Sequence, residues 1–327
     1  KVEAYVKANY NENGTLKDPT RPSQANYYSL SDNARLVLAL TAIGKDPAAV
    51  GGKNLLTALQ TKAIWGEKAI YQKVFALLAL NSNEYGGTEG LVEAILAAQE
   101  YDGNWKASVN DTLPDMTAMA LTALAPYYGD GNSTLDAAVN KAIGWLSEQY
   151  QGGKYTNSET CAQVVVALSA LKIDANADAR FVRAVAAGDS EVSTQSLEQD
   201  AKTVSVSVLG SLLRYHLGEG NGFAHEAKAG INRLATEQAL YAMAAYQRYA
   251  THRRSLYDMR DAKQAGGDDP KPSGGSGNYY YSGTTAGTKT DSANTADDSQ
   301  MVLWLGSAAL AAAAVVVLTH KRKRVSK

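Results

Sequence analysis

The chain is short of cysteine, of large aromatics and of clustered positive charge. Cys161 is the only cysteine in 327 residues, so no intrachain disulfide can form. That sets aside the secreted animal domain held by several bridges, whereas a bacterial surface protein has no such need. Three phenylalanines and four tryptophans supply few of the aromatic faces that stabilise carbocations, which counts against chemistry through such intermediates. Five of the 32 Lys and Arg residues fall in the last seven positions, leaving 27 against 33 Asp and Glu over the rest. An acidic body without a basic face excludes nucleic acid as a partner. No phosphate-cradling Gly loop with a Lys is present, nor H-E-x-x-H, nor G-x-S-x-G.

The one long apolar run lies near the end. Residues 301–319 read MVLWLGSAALAAAAVVVLT without a charge, and Lys321, Arg322, Lys323 and Arg324 follow. As a helix the run is roughly 28 Å long, close to the roughly 30 Å of a bilayer's hydrocarbon core. The basic tail, 320–327, marks the cytoplasmic side, so 1–300 is expected outside the cell. Residues 263–300 are rich in Gly, Ser, Thr and Asp, with almost nothing aliphatic, and read as a flexible linker. No L-P-x-T-G sorting signal precedes the span, which favours a retained membrane anchor. The first residues, KVEAYVKANY, hold neither an initiator Met nor an apolar signal core, so a preceding segment is expected.

Residues 1–262 repeat. Ala39-Leu40, Ala79-Leu80, Ala123-Leu124 and Ala167-Leu168 sit deep in the runs LVLALTAI, KVFALLAL, AMALTALA and VVVALSAL, spaced by 40, 44 and 44 residues. A fifth copy, TEQALYAMAAY, follows SEVSTQSLEQDAKT (190–203), which reads as an insertion. Periods near 40 mean stacked helical units. Each unit pairs an inner helix, apolar nearly all round, with an amphipathic outer one. In LDAAVNKAIGWLSEQ, Leu135, Ala138, Val139, Ala142, Ile143 and Leu146 share a face. A Gly beside an aromatic precedes most inner helices, at Trp65, Trp105, Tyr155 and Phe223. The Gly makes a turn and the ring can plug the gap between hairpins.

Repeats of this length, a Gly-aromatic turn, and a helix opening with an acid and continuing A-x-x-A-L resemble the prenyltransferase and squalene-oxidase repeat family. The likeness covers about residues 1–260. SDNARLVLALTAIGKDP, PDMTAMALTALAPYY and ATEQALYAMAAY are most similar to its Gram-positive surface members. The resemblance implies an all-α fold, an α/α toroid of inner and outer helices, with five inner helices in this chain and a sixth in a preceding segment. It also implies two enzymatic or carrier alternatives, a terpenoid cyclase and a cobalamin-type carrier. Cobalamin carriers of the family enclose the ligand with a second, β-rich domain, and no such domain follows here.

Set against the family, the acid motifs are incomplete. Asp115 in LPDMTA falls on the middle acid of the cyclases' D-x-D-D-T-A, with Leu113 and Met116 where the other two aspartates belong. A lone Asp115 at a helix N-terminus is expected to be an N-cap, stabilised as the anion. The prenyltransferase zinc ligands map only onto Glu159 and Cys161. His225 is expected out of place, so no metal and no cofactor is assigned. Asp32, Asp115, Glu159 and Glu237 open four inner helices, and with Thr117 and Tyr241 they are the candidate ligand-binding residues. The expectation is a membrane-anchored surface protein whose toroid binds an extracellular ligand, glycan or protein without catalysis.

Overall fold

The computed structural model describes residues 1–17, 29–108, 111, 113–186, 203–218 and 221–262. The expected linker, span and tail lie outside them. Among the described residues no helix is long and apolar enough to cross a membrane.

The described chain is helix-rich, in keeping with the all-α class. Five helices form its core: α2 (Leu30–Ala42), α5 (Ile70–Asn81), α7 (Pro114–Leu124), α9 (Ser158–Ala170) and α11 (Arg233–Ala250). They pack in chain order, α2 on α5, α5 on α7, α7 on α9 and α9 on α11. Every residue of α7 is buried, and so is α9 from Ser158 to Ser169. That is the behaviour of a helix apolar on all sides, whose stability comes from packing rather than from propensity.

The core helices run parallel. At their N-terminal ends Gln72 of α5 accepts from Leu30 N–H at 3.1 Å, and Thr160 of α9 meets Asp115 of α7. At the opposite ends Asn81 of α5 donates to Ala123 O of α7 at 2.9 Å. Parallel neighbours need a return segment, and the outer elements supply it. These are α1 (Val2–Asn9), α3 (Leu56–Gln60), α4 (Lys62–Trp65), α6 (Glu89–Ala97), α8 (Ser133–Gln151) and α10 (Val208–Leu213). Helix α8 follows the sequence pattern: Leu135, Val139, Ala142, Ile143 and Leu146 are buried, while Asn140, Lys141 and Asp136 are not.

The all-α expectation needs one correction. Two small antiparallel ladders are present, β1 (Val182–Ala186) with β2 (Thr203–Ser207), and β3 (Phe223–Ala224) with β4 (Ile231–Asn232). The stretch read as an insertion ends where β2 begins, and lies between the two paired strands. Val182, Val185, Val204 and Val206 are β-branched, which suits a pleated ladder better than a helix. Tyr150 of α8 anchors this ladder, donating to Val206 O at 2.8 Å and meeting Ser211 Oγ of α10 at 2.9 Å.

Candidate functional site

The N-terminal ends of α7, α9 and α11 lie together, and they start differently from the sequence expectation. Pro114 takes the first helical position of α7, where its missing N–H costs nothing. Leu113 is therefore the cap, without a side-chain bond, and Asp115 falls at the second helical position. Asp115 is not an N-cap. The caps are Ser29 for α2, Asn157 for α9 and Asn232 for α11, each accepting an N–H three residues on. They precede Asp32, Glu159 and Glu237, the acids expected to open these helices, by two to five residues.

Freed from capping, Asp115 is buried and faces α9, where Thr160 Oγ1 donates to its Oδ1 at 2.6 Å. Burial pushes its carboxyl up to about 6; the Thr160 bond opposes this, and the charges of Asp111 and Glu159 add to it. The expected stabilisation of the anion is overturned, because desolvation outweighs the helix dipole at this depth. Beside it, buried Glu159 accepts at Oε2 from Ser158 Oγ at 2.8 Å and from His225 Nδ1 at 2.9 Å. His225 follows β3, and its carbonyl also accepts from Ser158 N–H at 3.0 Å. One turn further into the core, Gln163 of α9 donates to Gln238 Oε1 at 3.1 Å and to the Tyr241 hydroxyl, both on α11. Gln163, Gln238 and Tyr241 are all buried. The Tyr241 hydroxyl is driven strongly toward its neutral form by burial, with Tyr257, Asp115 and Glu159 adding to the effect.

Three neighbouring core helices therefore place Asp115, Glu159, Thr160, Gln163, Gln238 and Tyr241 inside an otherwise apolar packing. Of the ligand candidates, Asp115, Glu159 and Tyr241 belong to it. Asp32 does not, since it pairs with Arg35 at 2.7 Å on α2. Glu237 pairs with the exposed Arg233 at 2.9 Å. The hydroxyl of Thr117 is engaged by the turn ahead of its helix, accepting from Trp105 N–H at 3.0 Å. Thr160, Gln163 and Gln238 were not read from the sequence. Their signal was a polar residue inside an all-apolar helix, with Glu159 and Gln163 four apart on one face.

The zinc candidates separate. Glu159 meets His225, but burial pushes the Cys161 thiol up to about 12, with Arg214 partly opposing it. Among the described residues no three His, Cys, Asp or Glu side chains converge on a metal position.

The turn aromatics act as plugs. Trp105 Nε1 donates to Ile95 O of α6 at 2.7 Å, and Tyr155 to Leu146 O of α8 at 2.9 Å. Trp65 is buried, and its ring edge lies where Gly90 has no side chain. Phe223 is clipped to α11 as Trp105 is to α7: Thr236 Oγ1 accepts from Phe223 N–H at 2.8 Å. The preceding Gly222 has no room for a methyl group, because a Cβ there would stand 2.2 Å from Thr236 Oγ1. Gly222→Ala should displace the clip and lower stability by about 1–3 kcal/mol, the usual range for overpacking. A urea midpoint unchanged from wild type would show that the clip is dispensable.

No family model matches this chain, and no curated protein matches it either.

Proposed function

We propose that the chain is a membrane-anchored bacterial surface protein whose head, residues 1–262, is an α/α toroid that binds a ligand, glycan or protein without catalysis. The observation behind this reading is the polar network on α7, α9 and α11. Core positions in such a scaffold are best filled by apolar side chains, since a buried polar group gains little net stability even when hydrogen-bonded. Six polar residues drawn from three helices favour a recognition role, with the N-terminal ends of those helices as the binding face.

The same network argues against acid catalysis. Protonating an alkene requires a strong acid kept in its protonated form. An Asp115 near 6 is largely ionised at neutral pH and is a weak acid when protonated. The carboxyl is better suited to accepting or sharing a hydrogen bond with a bound polar group.

The test is a thermal-shift screen of the full chain in detergent against cell-wall glycans, corrinoids, isoprenoids and divalent metals. A ligand at about 100 times its Kd should stabilise the head by about 2.7 kcal/mol. That gain should disappear in Gln163→Leu. A gain that survives in Gln163→Leu places binding elsewhere, and turnover of an isoprenoid would replace this reading with the cyclase one.

A further inference from the structure

After α11 the chain turns at His252, whose φ of 53° reverses its direction, and runs back to α5. Met259 N–H donates to Ser82 O, just past the end of α5, at 2.7 Å. Ion pairs follow, two of them to the body of the domain and two within the segment itself. Arg248, in the last turn of α11, donates to Arg254 O at 2.7 Å and to Asp261 at 2.6 Å. Arg254 pairs with Asp258 at 3.0 Å, and Arg260 grips Asp258 through two bonds at 2.8 and 2.7 Å. Arg260 also pairs with Glu84, in the turn after α5. Apolar contact adds to it: Met259 is buried, and Leu256, Tyr257 and Ala262 pack against the core partly buried.

We propose that residues 251–262 form a detachable strap, latched by charge, that ties the C-terminal end of α11 to that of α5 and releases while the core helices stay folded. Helices α5 and α11 are not neighbours in the packing order, so the strap is a tie across the core rather than a part of it. Exposed ion pairs are individually weak and are screened by salt. A short segment joined to the body by two of them and one buried side chain opens at lower free energy than α7, which is buried throughout. Burial alone would raise the Asp258 carboxyl, but Arg260 and Arg254 outweigh it and hold it at about 2.

Hydrogen exchange on the full chain, at about 0.05 M and about 1 M salt, tests this, because the Debye length shrinks to about 3 Å at the higher concentration. Amides 256–262 should exchange about tenfold faster in high salt, the loss expected from two to three surface pairs, while α5, α7 and α9 stay protected. Glu84→Gln and Arg260→Gln should each speed the same amides in low salt, and Arg233→Gln, which breaks a pair elsewhere, should not. Met259→Cys gives a second readout: its reaction with a thiol reagent should quicken with salt, against a silent background from the buried Cys161. Strap amides indifferent to salt and to both latch variants would overturn the proposal. So would strap and core amides accelerating by the same factor, since the strap would then open only with the whole fold.

Discussion

Asp115→Asn should abolish a pH dependence of stability worth about 2 kcal/mol between pH 4 and pH 7. The carboxyl has an ordinary value of 3.8 and a folded value of about 6, raised chiefly by burial. Between those values the folded state binds more protons than the unfolded one, so stability falls as pH rises. The contribution is fully present below the unfolded value and is lost as pH rises through the folded one. Asparagine keeps an acceptor for Thr160 and has no charge to bury. The variant should therefore match wild type near pH 4 and exceed it at pH 7. Urea midpoints of both proteins across that range decide the matter. Two curves that stay parallel would mean that Asp115 is not the group responsible.

Trp105→Ala should destabilise the fold by about 3–5 kcal/mol, the range for a large buried aromatic. Trp105 is almost fully buried between α6 and α7, and its truncation has two further effects beyond the cavity. Ile95 O loses the indole donor at 2.7 Å, and the backbone clip to Thr117 loses the side chain that seats it. Ile95 O keeps the Ala98 N–H at 3.1 Å, so losing the indole costs less than leaving a buried carbonyl unpaired. Trp105→Phe separates the two parts, since it restores most of the volume without the N–H. Chemical denaturation of both variants measures the difference. A loss under about 1 kcal/mol in Trp105→Ala would show that neighbouring side chains collapse into the space.

The repeat and its helices were legible because burial leaves a periodic trace. Leu135, Val139, Ala142, Ile143 and Leu146 had to share a face, and they do. The site was legible only in part. Asp115 was found, but its role was misread, because a helix start seen in one dimension shows the dipole and hides the desolvation. Pro114 held the missing clue: proline favours the first helical position, which moves the aspartate after it inside the helix. His225 is 66 residues from Glu159, and nothing local predicts that the β3–β4 hairpin folds back over α9. The strands themselves are short, and Phe223–Ala224 is too brief to show an alternating pattern. Gln163 and Gln238 sit in helices that otherwise read as plain core, and only the packing of α9 on α11 shows that they meet.

Because the core helices are parallel, the domain has two unlike poles. Asp115, Glu159 and His225 lie at one, and the chain leaves Ala262 at the other, where α5 and α11 end. Anything attached beyond residue 262 is on the pole opposite the polar network, and a tethered head would present that network outward. Mechanical load follows from the same geometry. A pull on the chain beyond residue 262 loads the Arg248–Asp261 and Arg260–Glu84 pairs before it loads the backbone of α11. The strap would yield first as a fuse, freeing several residues of chain while the pole that holds Asp115 and Glu159 keeps its shape.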